Sequence, residues 1–153
     1  MINELRLVRI VNFQTSYHAD INSLLTQLDP ECTGMSEEHL RNILSSESSE
    51  LYALELDGKL IGMTTLALYP CPTGWKAWIE DVVVDAQYRG KGYGKLLVNH
   101  AIDVIREKAQ IYGNLSLMLT SRPSRISANQ LYQQLGFEKR KTNVYKMEVS
   151  GLH

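Results

Sequence analysis

The sequence predicts an α/β domain: one mixed, mostly antiparallel sheet flanked by helices on both faces, in the order β-α-α-β-β-β-α-β-α-β-β. Three observations carry this reading. Short runs rich in Leu, Val and Ile recur between stretches whose apolar residues repeat at helical spacing. Asp57-Gly58 between two apolar runs is a strong hairpin signal. A glycine-rich turn joins the apolar run Val82-Val83-Val84 to an amphipathic stretch, as strand-to-helix turns do.

Taken in order, Leu5 to Val11 reads as the first strand, although its alternation is imperfect, with Val8 and Ile10 on one face and Leu5 and Leu7 on the other. Tyr17 to Leu28 places Tyr17, Ile21, Leu24, Leu25 and Leu28 on one helical stripe and stops before Pro30. Ser36 is placed to cap the next helix, with Glu37 and Glu38 in its first turn and Leu40, Ile43 and Leu44 as its buried stripe. Leu51–Leu56 and Leu60–Leu68 are strands, Pro70 to Gly74 a loop, and Trp75–Val84 the next strand. After the turn at Arg89–Gly94 a helix runs to about Gln110, burying Leu97, Ala101, Val104 and Ile105. Leu115–Thr120 is apolar enough to be a central strand. Ser124 or Ser127 is placed to cap a short helix with Ala128, Leu131, Tyr132 and Leu135 inside, and Gly136 stands where a left-handed C-cap is wanted. Phe137 onward and Asn143–Val149 read as closing strands.

No repeat or linker divides residues 1–153, so one domain is expected, of a size that buries a real core. With 16 basic against 17 acidic residues the formal charge is −1, which argues against a nucleic-acid partner. No apolar run reaches bilayer length, and Glu4 and Arg6 interrupt any secretory layout, so a cytoplasmic protein without a membrane partner is expected. Cys32 and Cys71 stand apart, outside any CxxC spacing, and read as unpaired thiols. His18, His39 and His100 occur singly and His153 is terminal; none has metal-ligand spacing, and no metal is expected.

The segment from Val82 to Lys95 carries most of the functional signal. Glycine lets the backbone turn sharply and approach a ligand without a Cβ in the way. The first amides of the following helix lack partners within it, and the helix dipole makes that end positive. Such a turn binds phosphate, and Arg89, Lys91 and Lys95 add charge on its rim. Three residues, not four, separate Gly90 from Gly94-Lys95, and Leu96 follows, so it is not a Walker loop. Lys95 stands where a dinucleotide fingerprint needs its third glycine.

Gln87-x-x-Gly90-x-Gly92 resembles the Q/R-x-x-G-x-G/A signature of the GNAT acetyltransferases. Ala128-Asn129-x-x-Tyr132-x-x-x-Gly136-Phe137 resembles that family's second signature, and the element order is similar along essentially the whole chain. Ile79 to Val84 is similar to the corresponding strand of polyamine and glucosamine-phosphate acetyltransferases. The resemblance implies acetyl-coenzyme A as co-substrate. Its pyrophosphate would be held by loop residues Arg89, Gly90, Lys91, Gly92, Tyr93, Gly94 and Lys95. Backbone amides of Val82, Val83 and Val84, together with Asn129, would hold its pantetheine arm.

Acetyl transfer to an amine needs a proton acceptor, because a Lys-like amine with a pKa of about 10.4 costs about 4.6 kcal/mol to deprotonate at neutral pH. Glu80 and Asp81 lie on the strand that, in the family, splays from its neighbour toward the cofactor. The expectation here is that Glu80 acts as general base through a water while Asp81 orients or attracts the amine. Strand alternation would point only one of the pair into a site, and a solvated strand end is the plainer reading of both. Tyr132 matches the family's general acid to the leaving thiolate, although it shares a helix stripe with core residues. Arg122 and Arg125 could touch substrate or cofactor or be solvated charges. Trp75, Trp78, Tyr69 and Tyr145 could line a pocket, but strand aromatics are usually core. The expected acceptor is a small-molecule amine or a protein or peptide amine, and a homodimer is compatible with the family. The rival reading is a module that holds acyl-CoA without transferring it; such a module needs neither Glu80 nor Tyr132.

Overall fold

A computed structural model describes residues 3–151; His153 lies outside them. The chain divides into two compact units, residues 1–120 and 121–153.

The first unit holds a five-stranded sheet in the order β1-β2-β3-β4-β5. Its strands are β1 (Leu5–Ile10), β2 (Ser49–Leu56), β3 (Lys59–Cys71), β4 (Gly74–Val84) and β5 (Leu115–Met118). β1 to β4 pair antiparallel and β5 joins β4 in parallel, which makes the mixed sheet expected. Two helices, α1 (Thr15–Leu28) and α2 (Glu37–Ser45), cover one face, where Ile21, Leu24 and Leu40 pack with Ile10, Leu51, Ala53, Met63 and Val83. The other face belongs to α3 (Tyr93–Tyr112), whose Leu97 packs with Leu54 and Ile61, joined by Leu7 and Val84. Covering both faces explains the imperfect alternation of β1: Val8 and Ile10 serve one core and Leu7 the other.

Local signals read from the sequence hold in several places. Ser36 caps α2, its hydroxyl accepting from the His39 amide at 3.1 Å. Asp57 and Gly58 take φ of +50° and +84°, the paired positive values of a type I′ hairpin turn. Cys32 and Cys71 are free thiols. His18 and His100 serve packing, the first bonded to the Met35 carbonyl oxygen at 2.6 Å and the second edge-on to the Tyr52 ring.

Other expectations are corrected. Pro70 to Gly74 is not a loop. β3 runs on to Cys71, with Pro70 opposite Trp75 and Cys71 opposite Gly74, so only two residues turn the hairpin. β5 stops at Met118 and is an edge strand of this sheet rather than a central one. The second unit contains α4 (Ile126–Gln134) and no strand among the described residues. Phe137 onward, including Asn143–Val149, forms no ladder, and Tyr145, Met147 and Val149 are exposed. The alternating pattern there lacks the partner strand that a period-two segment needs.

Candidate active site

The register of β3 against β4 contains the feature that shapes the site. Met63 pairs with Val83 and Thr65 with Glu80, so Asp81 and Val82 together oppose the single residue Thr64. This is a β-bulge, and Asp81 lies in it with a left-handed φ of +53°, a conformation that Asp adopts more readily than most side chains. Thr64, fully buried, donates its hydroxyl to the Glu80 carbonyl oxygen at 3.1 Å and pins the bulge from behind. Residues three apart on a regular strand face opposite sides. The extra residue cancels that parity and turns Glu80 onto the face of Val83, the α1–α2 side.

Simple alternation therefore does not govern the Glu80–Asp81 pair. Both residues are exposed, and Glu80 is held above the ordinary carboxyl range, first by partial burial and second by the charge of Asp81. A carboxylate shifted this way is a better proton acceptor than a free one.

Beyond the bulge, Val83 and Val84 anchor the strand in the two cores. β4 pairs with β5 only from Trp75 to Trp78. The edge of Ile79–Val84 that would continue this ladder has no strand partner among the described residues. Two carbonyls of this stretch are taken, Glu80 by the Thr64 hydroxyl and Val84 by Arg89. The remaining groups on that edge make no ladder hydrogen bond among the described residues.

The turn after β4 is braced on all sides. The Asp85 amide donates to the Ile61 carbonyl at 2.8 Å, and its buried carboxylate accepts from the Gln87 amide at 2.9 Å, capping a 3₁₀ turn at Ala86–Tyr88. Gln27 of α1 accepts from the Ala86 amide at 2.8 Å. Arg89 folds back to donate through Nε to the Val84 carbonyl at 2.9 Å, a contact that sequence spacing did not signal. Gly90 and Gly92 then take φ of +81° and +82°, and Gly92 is the N-cap of α3 without any side-chain acceptor. A Cβ added at Gly90, Gly92 or Gly94 would meet no atom within 4 Å. Open space above unpartnered helix amides suits a diphosphate. Tyr93 and Tyr88 pack partly into the α3 core, which turns the Tyr93 ring toward Leu54, Ile61 and Leu97 and leaves its backbone at the helix start. Lys91 lies 5.6 Å from the Tyr88 ring centre, and Lys95 is exposed.

In the second unit, Tyr132 is buried on α4, edge-on to Phe137 with ring centres 6.1 Å apart. Burial raises its pKa, against an opposing pull from Arg125, so the phenol stays protonated at neutral pH. The helix ends as the sequence implies: Gly136 has φ of +101°, the Phe137 amide donates to Tyr132 O at 3.0 Å, and the Gly136 amide donates to Gln133 O at 3.1 Å. Its start differs. Arg125 is the N-cap and makes no side-chain cap bond, while Ser124 precedes it and Ser127 falls in the first turn. Asn129 donates through its amide to the Arg122 carbonyl at 2.9 Å, which ties the helix to the segment before it. Arg122 and Arg125 are exposed.

This mixed sheet with its glycine-cradled helix start is similar to solved acetyltransferases. A solved acetyltransferase of Trypanosoma brucei matches it with a TM-score of 0.76 at 25% identity, over 95% of this chain and 100% of that one. The chain belongs to the acetyltransferase (GNAT) family, whose model matches residues 16–137. It is 29% identical over 144 residues to a glucosamine 6-phosphate N-acetyltransferase of Trypanosoma brucei brucei, covering 89% of this chain and 90% of that protein. It is also 30% identical over 118 residues to the streptothricin acetyltransferase of Streptomyces lavendulae, covering 74% of this chain and 57% of the relative. The chain is thus an acetyl-transferring enzyme. No helix among the described residues is long and apolar enough to cross a membrane.

Proposed function

We propose that the enzyme moves the acetyl group of acetyl-coenzyme A to a primary amine by direct attack. The observation that carries this reading is the bulge at Asp81, which sets two carboxylates on the strand that runs straight into the phosphate cradle. Acetyl-coenzyme A supplies an activated acyl group on a thiol leaving group. The amides of Tyr93, Gly94 and Lys95, with Arg89, Lys91 and the turns at Gly90 and Gly92, bind its diphosphate. The open β4 edge at Val82–Val84 binds its amide-bearing arm and donates to the carbonyl oxygen as charge builds there. Asn129 contributes a further polar contact to that arm.

Glu80 accepts the proton of the attacking amine through a water, and Asp81 draws the ammonium in and raises the basicity of its neighbour. Tyr132, kept protonated by burial, gives a proton to the departing thiolate. The ammonium loses two protons in all, one through Glu80 to solvent before attack and one from the nitrogen of the tetrahedral adduct as it collapses. The departing thiolate takes one from Tyr132, which is then reprotonated, so amide, free thiol and one released proton are the products. The relatives act on an amino sugar phosphate and on streptothricin, which supports a small-molecule amine as acceptor.

Free-thiol release from acetyl-coenzyme A across a panel of amines tests this. Turnover with one amine class, with kcat lowered about a hundredfold in Tyr132→Phe, is the expected result. Tight binding of acetyl-coenzyme A without turnover on any amine would instead indicate a binding module.

A further inference from the structure

The face onto which the bulge turns Glu80 continues along β4 past the region that α1 and α2 cover. Glu80, Trp78 and Lys76 share that face at every second residue, over about 13 Å of strand. Their cross-strand neighbours on β3 are Thr65, Ala67 and Tyr69. Ala67 beside Trp78 adds almost no bulk, so the indole is not boxed in from that side. Trp78 is half-buried, stands outside the cluster packed under α1 and α2, and donates Nε1 to the Tyr69 hydroxyl at 2.9 Å. That bond fixes the plane of the indole. Lys76 and Glu80 make no ion pair among the described residues. A carboxylate, a fixed aromatic plate and an ammonium in line, with both charges unsatisfied, form a surface with a definite complement.

We infer that Trp78 and Lys76 determine acceptor specificity, and that the acceptor is an amino sugar carrying an anionic substituent. Its ammonium meets Glu80 and Asp81, the C–H face of its ring lies on the Trp78 indole, and its anionic group reaches Lys76. This rests on the acetyl-transfer reading above, with Glu80 at the amine. A linear polyamine matches only one end of the row, because its second cation would face Lys76. A neutral amino sugar matches two of the three positions.

The experiment compares kcat/KM for glucosamine 6-phosphate, glucosamine and spermidine, each at saturating acetyl-coenzyme A. The wild-type enzyme is expected to prefer the phosphorylated sugar at least tenfold over glucosamine. In Lys76→Gln that ratio should collapse toward one through KM, with kcat for the phosphorylated sugar kept. Trp78→Leu should raise KM for both sugars about tenfold, and Trp78→Phe, which keeps a ring, should recover most of the loss. Equal wild-type kcat/KM for the two sugars would overturn the inference, as would a Lys76→Gln loss shared equally by both. Turnover of spermidine with neither sugar overturns it while leaving acetyl transfer standing. Thiol release with none of the three, nor with other amines, overturns the acetyl-transfer reading and this inference together.

Discussion

At the scale of single residues, the proposed chemistry turns on Glu80 and the charge of Asp81 beside it. Two adjacent carboxylates in a partly desolvated position resist double ionisation, and the proton is held on Glu80 above its ordinary range. In the proposed mechanism the ionised form is the base, so activity should fall as pH drops through this raised value rather than at the pKa of a free carboxyl. Removing the Asp81 charge removes one of the two causes. In Asp81→Asn the acid limb of the kcat/KM profile should move to lower pH, with a weaker KM for the amine. An acid limb that stays in place would detach Asp81 from the base. Glu80→Gln should lower kcat/KM about a hundredfold. The stability contributed by a raised carboxyl is fully present below its unfolded pKa and is lost as pH rises through the folded value. Glu80→Gln should therefore leave the neutral-pH melting temperature unchanged or slightly higher.

Among the elements, the glycine-cradled start of α3 was the most legible and the bulge in β4 the least. Gly90, Gly92 and Gly94 announce themselves because few other reasons gather three glycines between an apolar strand and an amphipathic helix. The bulge leaves almost no trace in sequence. Its cause is a mismatch of register between two strands, which appears only when Thr64 is seen facing two residues. The one local hint is that position 81 is Asp, a residue tolerant of positive φ. The cradle yields a direct test. In Gly92→Ala, no atom obstructs the new methyl group, so the strain is in the backbone, at about 1–2 kcal/mol for a left-handed residue. If the helix start gives up this geometry to relieve the strain, KM for acetyl-coenzyme A should rise about tenfold while the amine KM changes little. A change in the amine KM alone would mean that the turn does not hold the coenzyme.

For the whole molecule, the succession of elements from β1 to α3 was readable because several of them carry a local signal, such as Asp57-Gly58 or Ser36. What failed depends on distant partners: the extent of β3, the edge position of β5, and the closing strands after Phe137, whose alternation alone cannot specify a ladder. Distant partners also govern stability, most clearly at Glu55. This buried carboxylate on β2 accepts from Tyr17 of α1 and from Arg6 of β1, and so ties one helix and two strands together. The Tyr17 hydroxyl and then the Arg6 guanidinium hold it below the usual carboxyl range. The folded state thus favours the ionised form more than the unfolded chain does. The resulting stability is fully present above the unfolded pKa of about 4.3 and is lost as pH falls through the lower folded value. Glu55→Ala strands the Tyr17 hydroxyl and should cost about 2 kcal/mol at neutral pH, a fall in melting temperature of about 6 °C. Its melting temperature should also depend less steeply on pH below about 4 than that of the wild type. Parallel acid slopes in the two proteins would show that carboxylates other than Glu55 govern acid unfolding, whatever the loss at neutral pH.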